Sequence, residues 1–234
     1  MMSLKIKKRG GEDVAFNPQK IYNRIKRSSK GLNVNSDEIF IKVITSVPVE
    51  GEITTKELDK LVYEIAASYT GSHHDYSRLA SSVAISSYHK ETNPSFSETM
   101  EILHKSGIVS DELIFKINSY GRKEIDEVIN HDNDYNFDYF AWRSLQEMYL
   151  LKLPNGKSIE RPQHMYMRVA LWVTKSFQEA IEYYKSLSEQ LISPATPIMI
   201  NSGTKIPQLA SCVLHFNNED SRTGLLETIK DIST

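Results

Sequence analysis

The sequence predicts a mainly helical protein that opens on a small β-sheet. Apolar and basic residues alternate over Leu4 to Arg9, and alternation resumes over Glu12 to Phe16 beyond Gly10-Gly11, which reads as a β-hairpin. After Asn17, apolar residues recur at helical spacing in one segment after another, most of them opened by a capping residue or a proline. Towards the C-terminus two short apolar runs, Pro197-Ile198-Met199-Ile200 and Cys212-Val213-Leu214, read as buried strands.

Asn17-Pro18 supplies an N-cap and a first-turn proline, and Ile21, Ile25 and Ser28 mark the inward face of a helix that stops at Gly31. Ser36 starts a second helix with Ile39, Val43 and Ile44 inward. Thr54-Thr55-Lys56-Glu57 reads as a capping box opening a third, with Leu58, Leu61, Val62 and Ile65 inward. A fourth, from about Asp75 to Lys90, places Leu79, Val83 and Ser86 on one face. A small sheet capping four helices is the implied first domain, and the breaker Asn93-Pro94-Ser95 closes it, giving 1–94.

Helical patterns follow over Phe96 to Lys105, Asp111 to Ile117 and Gly121 to Ile129. The acidic run Asp132 to Asn136 is not a calcium loop, because the sixth position is Phe137 rather than glycine and the twelfth is Arg143 rather than glutamate. It is expected to be a loop leading into a helix over Phe137 to Leu151, with Phe140, Leu145, Met148 and Leu151 facing a core. Leu153 to Lys157 carries an Asn-Gly turn. Helices from Arg161-Pro162 (Met165, Val169, Trp172 inward) and over Ser176 to Leu191 (Ala180, Ile181, Tyr184, Leu187 inward) complete a second domain, 95–191. In the remaining 192–234, the polar turn Asn217 to Ser221 precedes a last helix from Arg222 striped by Leu225, Leu226, Ile229 and Ile232.

At 234 residues, 40% hydrophobic and 25% charged, the chain is long enough to bury a sizeable core. No apolar run reaches the roughly 18 to 20 residues that span a bilayer, and the first residues lack the apolar block of a secretory signal, so a cytoplasmic protein without a membrane partner is expected. The seven histidines show no metal-ligand spacing, so no metal is expected. The formal charge of −2 hides an asymmetry. Residues 1–30 hold nine basic side chains against Glu12 and Asp13, a balance of +7 that leaves −9 for the rest. The N-terminus therefore favours an anion. With no helix-turn-helix, zinc-finger or aromatic-interleaved pattern beside the charge, a phosphorylated small molecule is expected rather than nucleic acid.

The stretch from Ser193 to Leu214 holds the single cysteine, and its two apolar runs begin beside the hydroxyls of Thr196 and Ser211. The residues allow two readings: strands that present two hydroxyls and a thiol, or a core hairpin with a buried structural cysteine. One cysteine makes no internal disulfide, so any disulfide of Cys212 needs a second thiol from elsewhere.

Thr196-Pro197-Ile198-Met199, Pro207-Gln208-Leu209-Ala210-Ser211-Cys212-Val213-Leu214, and Arg161-Pro162-Gln163-His164-Met165 resemble the large, catalytic subunit of class I ribonucleotide reductase. The hairpin pattern Lys-Arg-x-Gly-x-x-Val-x-Phe-x-Pro-x-Lys-Ile from Lys8 resembles the ATP-cone, the regulatory nucleotide-binding module at the front of many such enzymes. The resemblance covers essentially the whole chain. It implies an ATP-cone over 1–94, a helical domain over 95–191, and the start of the family's ten-stranded α/β barrel over 192–234. It also implies ATP or dATP contacts at Lys8, Arg9, Glu12, Asp13, Val14, Ala15, Phe16, Lys20, Thr55, Asp59 and Lys90. Lysines at the mouth of a hairpin suit triphosphate charge, and the sequence has no Gly-x-x-x-x-Gly-Lys-Ser/Thr loop for hydrolysis.

By the same resemblance Thr196 and Ser211 line the ribonucleoside diphosphate site, and Cys212 is one half of the reducing thiol pair. Asp220, Ser221 and Arg222 fall where relatives contact the specificity effector, although an aliphatic residue usually stands at the position of Arg222. The family's radical cysteine, second redox cysteine and radical-carrying tyrosines would all lie past Thr234. The expectation is therefore a split or truncated large subunit, inactive alone. Its partners would be a second chain with the remaining barrel, a radical-generating small subunit that holds the metal cofactor, and further copies of the large subunit. The rival expectations are a free-standing ATP-sensing regulator and a helical interaction domain with no ligand.

Overall fold

A computed structural model describes residues 4–217 and 219–233. The chain begins with β1 (Lys5–Lys7) and β2 (Asp13–Ala15), paired antiparallel with Ile6 opposite Val14. Gly11 closes the hairpin at φ 86°, a left-handed conformation that costs glycine nothing. A third strand, β3 (Glu52–Thr54), lies parallel to β1 on its other edge, giving the order β2-β1-β3. The hairpin was legible in sequence; β3 was not, because a three-residue strand with one apolar side chain carries no periodic signal.

Four helices pack beneath the sheet: α1 (Pro18–Ser28), α2 (Ser36–Ser46), α3 (Thr55–Ser68) and α4 (Asp75–His89). Asn17 caps α1 by accepting from the Gln19 N–H at 3.0 Å, with Pro18 in the first turn. The capping box is present: Thr54 Oγ1 accepts from Glu57 N–H, and Glu57 accepts from Thr54 N–H at 2.8 Å. Ile6 and Ile53 from the sheet meet Ile21, Ile25, Ile39, Val43, Val62 and Leu79 in one core. Helix α4 is shared: Leu79 and Val83 serve this core, while Ile85 and Tyr88 belong to a second.

The second core is built by α5 (Phe96–Lys105), α6 (Asp111–Tyr120), α7 (Arg122–Val128), α8 (Tyr139–Ser144), α9 (Pro162–Val173) and α10 (Phe177–Ser188). Phe96, Met100, Leu113, Ile117, Met165, Val169 and Leu187 are buried together. The expected loop at Asp132 to Asn136 is a 3₁₀ turn, His131–Asn136, that buries Asp134 completely. The expected helix over Phe137 to Leu151 is also corrected. After α8 the chain widens into a π-helical turn, Leu145–Tyr149, closed by Leu150 N–H to Leu145 carbonyl at 3.0 Å. Trp142, Leu145 and Leu151 face the core, whereas Phe140 and Met148 are 79% and 62% exposed. Helix α10 ends before the expected Leu191, because Gln190 takes φ 61°.

The largest correction concerns the end of the chain. Pro197 to Ile200 is helical, in α11 (Thr196–Asn201), and Cys212 to Phe216 has no regular structure and is exposed. No strand of the expected barrel occurs among the described residues. Pro197 sits in the first turn of α11, where its missing N–H costs nothing; in a strand it would remove a ladder bond. Residues 212–216 find no strand to pair with among the described residues, and a strand is not stable unpaired. The buried-cysteine reading fails too, since Cys212 is a free, exposed thiol. The last helix, α12 (Arg222–Ser233), forms as expected, but Leu225, Leu226, Ile229 and Ile232 are 53%, 57%, 59% and 60% exposed. No helix among the described residues is long and apolar enough to cross a membrane.

Candidate functional site

The sheet and helices of the first core leave a cleft of about 270 Å³. Its walls are the hairpin mouth (Lys8, Arg9, Val14, Ala15, Phe16), the first turns of α1 (Asn17, Lys20, Ile21) and α3 (Thr55, Leu58, Asp59), and Lys90 at the end of α4. Nine of the eleven nucleotide contacts implied by the sequence line this one cavity: Lys8, Arg9, Val14, Ala15, Phe16, Lys20, Thr55, Asp59 and Lys90. Glu12 and Asp13 do not. Glu12 is exposed and pairs with Lys8 at 2.8 Å, which holds its carboxyl below the usual range, and Asp13 is exposed on β2 opposite Lys7. The alternation of β2 turns Val14 inward and leaves Asp13 outside.

Five cations line the cleft, Lys8, Arg9, Lys20, Arg24 and Lys90, against the single carboxylate of Asp59. That carboxylate is already engaged, 3.2 Å from Arg9 Nη2 and 2.7 Å from Arg24 Nη1, so it fixes two guanidinium groups rather than cancelling the field. The ammonium groups of Lys20 and Lys90 have no ion pair or hydrogen bond among the described residues. Burial, reinforced by Arg24, Arg9 and Arg27, lowers the Lys90 pKa. The first turns of α1 and α3 both open here and add positive dipole ends. Thr55 Oγ1 is buried without a hydrogen-bond partner among the described residues. Such a group is costly to leave unpaired, and in a cavity wall it is available to a ligand. Apolar Ile6, Val14, Phe16, Leu58 and Val62 supply a surface for a flat ring.

Arg24 was not foreseen, although it stands one turn after Lys20 on the same face of α1. Asn17 and the apolar wall residues Ile6, Leu58 and Val62 also went unseen, because core and cavity lining share one pattern.

The residues expected at the substrate and specificity sites are not assembled. Thr196 Oγ1 lies 3.1 Å from Tyr149 Oη. Ser211 and Cys212 are exposed and make no hydrogen bond among the described residues. Ser221 Oγ accepts from Gly224 N–H at 3.0 Å, which caps α12, while Asp220 and Arg222 are exposed. The structure also shows one histidine and acid group, His73, His74 and Asp75, which the sequence reading assigned no ligand role. Its atoms are mutually satisfied: Asp75 N–H donates to His73 Nδ1 at 3.1 Å, and Asp75 accepts from Asn33 N–H at 2.7 Å.

Two family models match the chain. Residues 4–91 match the ATP cone domain, and residues 135–207 match the all-alpha domain of ribonucleotide reductase. The chain is 36% identical to the ribonucleoside-diphosphate reductase large subunit of Arabidopsis thaliana over 96% of its own length and 29% of that protein. It is 40% identical to that of Caenorhabditis elegans over 94% of its length and 29% of the relative. For vaccinia virus the figures are 39%, 95% and 30%. The chain thus spans under a third of the relatives it matches. With the cone's hairpin, its basic cleft and the helical body in place, this chain carries an ATP cone and the all-alpha domain of ribonucleotide reductase, and is homologous to the N-terminal part of ribonucleotide reductase large subunits.

Proposed function

We propose that this chain is the regulatory front of a ribonucleotide reductase large subunit, and that its cleft binds ATP or dATP as an allosteric effector without hydrolysing it. The observation that carries the reading is the cleft itself, where five cations, two helix N-termini and the unpaired Thr55 hydroxyl surround one cavity with an apolar wall. A triphosphate matches the charge, and a base matches the wall. No residue in the cleft is arranged as a phosphate-binding loop with a catalytic lysine and hydroxyl, so the ligand is held rather than cleaved.

In this reading 1–94 is the regulatory unit, 95–191 the helical support, and 192–234 the entry to the catalytic barrel. The complete enzyme reduces ribonucleoside diphosphates to deoxyribonucleoside diphosphates by radical and dithiol chemistry. Thr196 and Ser211 then hold substrate, and Asp220, Ser221 and Arg222 meet the specificity effector. Reduction consumes two electrons from two thiols that end as a disulfide. Cys212 is the only thiol here, so its partner comes from further protein, together with the remaining barrel and a radical-generating small subunit. Calorimetry on the intact chain tests the cleft: ATP binds, no ADP or phosphate accumulates, and Lys8→Ala with Lys90→Ala weakens binding at least tenfold. Equal affinity in wild type and variant would remove the reading.

A stand-alone ATP sensor without catalysis is the second reading. It is favoured by the scattered placement of Thr196, Ser211 and Cys212. Non-reducing mass spectrometry after mixing with the remaining barrel separates the two, because only a redox role for Cys212 yields a disulfide between chains.

A further inference from the structure

The segment from Ser87 to Thr92, at the end of α4, is gripped from two sides. On the cleft side Ser87 Oγ accepts from Arg9 Nη2 at 2.7 Å, and Glu91 lies 3.6 Å from the same arginine and 2.8 Å from Lys56. On the far side Tyr88 Oη donates to the Glu160 carbonyl at 2.7 Å. Arg161 Nη2 donates to the carbonyls of His89 and Thr92, both at 2.8 Å, and its Nε donates to Thr92 Oγ1 at 2.9 Å. The two carbonyls held by Arg161 bracket Lys90 along the chain. A backbone shift that carries Lys90 towards an anion in the cleft therefore pulls on the guanidinium of Arg161.

The next links are buried. Glu160, the neighbour of Arg161, is fully buried and binds Arg168 through Oε1 at 2.6 Å and Oε2 at 3.1 Å. Arg168 then donates to the carbonyls of Met199 at 3.1 Å, Ile200 at 3.3 Å and Ser202 at 2.6 Å. These close the end of α11, the helix that Thr196 begins. Charge-assisted bonds in a low-dielectric interior resist distortion, so displacement at one end is passed on more readily than absorbed.

We infer that Arg161 is a positioning residue that couples occupancy of the cleft to the Met199–Thr204 turn beside Thr196, through the buried Glu160–Arg168 pair. This rests on the nucleotide reading of the cleft and adds the route by which occupancy is felt at the end of α11.

Hydrogen exchange of the intact chain, with and without saturating ATP, tests it. The reporters are the amides of Met199, Ser202 and Thr204, hydrogen-bonded at 3.2, 3.2 and 3.1 Å. ATP should change their exchange in wild type by about fivefold, the lower end of measured coupling factors. Arg161→Lys keeps the charge but loses the planar fork, and should bind ATP within about threefold of wild type while losing most of that response. A purely structural role would alter exchange in the free protein without removing the dependence on ligand. ATP binding with unchanged exchange at the three amides, or a full response in Arg161→Lys, overturns the coupling alone. Absence of ATP binding in wild type overturns the nucleotide reading and the coupling with it. Should Arg161→Lys fail to fold, Thr92→Val, which removes one acceptor of Arg161, decides: a weakened response supports the coupling and a full one overturns it.

Discussion

Replacing Glu160 by Gln should be among the most damaging single-atom changes available in this fold. Glu160 and Arg168 are both 0% exposed, and the carboxylate also accepts from Leu151 N–H at 2.8 Å. Glutamine keeps the shape but removes the charge, leaving a guanidinium inside the protein with no anion and turning one of the two acceptor oxygens into a donor that faces either Arg168 or the Leu151 N–H. Breaking one half of a buried pair costs about 3 to 5 kcal/mol, most of it the penalty of the stranded charge. Since a domain's whole stability is roughly 5 to 15 kcal/mol, that is a large fraction of it. At about 2 to 4 °C per kcal/mol for a chain of this length, the melting temperature should fall by roughly 6 to 20 °C. The control is Glu64→Gln, which breaks the exposed Lys60–Glu64 pair at 3.7 Å and should cost under about 0.5 kcal/mol. Urea unfolding followed by the fluorescence of Trp142, only 1% exposed, reads both. A loss below about 1 kcal/mol for Glu160→Gln, close to the control, would refute the claim that this pair is dry and mutually dependent.

Two further outcomes follow from the same physics. His164 is fully buried, donates from Nε2 to the Pro94 carbonyl at 3.1 Å and has an unpartnered Nδ1; burial holds its pKa well below the ordinary value, and burial lowers that of neighbouring His131 as well. Below about pH 6.5 the unfolded chain therefore binds more protons than the folded one, so stability should fall as pH drops from about 6.5 towards the folded values, and His164→Gln should flatten a melting-temperature profile across that range; an unchanged slope would contradict the assignment. Gly203 has φ 72°, and a Cβ there would meet Leu113 Cδ2 at 2.7 Å, so Gly203→Ala should destabilise by about 1 to 3 kcal/mol in chemical denaturation, and a neutral result would show that the turn relaxes freely.

Local signals made the front of the molecule readable. Asn17-Pro18, the Thr54 to Glu57 box and the Gly10-Gly11 turn each act within a few residues, and each is found where the sequence places it. The parallel strand at Ile53 is recruited by Ile6 from far away in sequence, so no local pattern marks it. Much of the cleft was legible because its cations come in an ordered motif. Arg24 was lost because an arginine on an amphipathic helix reads as solvated surface. The run Pro197 to Ile200 was misread because four apolar residues fit a strand or a helical turn equally, and only the proline near its start favours the turn. The buried polar residues Asp134, Glu160, Gln163 and Arg168 were invisible for a different reason: burial of a polar side chain is decided by its partners, and partners distant in sequence leave no period.

The most direct test of the central claim is ATP titration of the intact Thr55→Val variant beside wild type, with the unfolding free energy of both measured in the absence of nucleotide. Thr55 Oγ1 has no hydrogen-bond partner among the described residues, so its removal should leave stability unchanged or slightly raised. If the cleft holds a nucleotide that uses this hydroxyl, the variant should bind ATP about five- to tenfold more weakly, the equivalent of roughly 1 to 1.4 kcal/mol for one hydrogen bond. Equal affinity for ATP in the two proteins, or no measurable binding in either, would contradict the account.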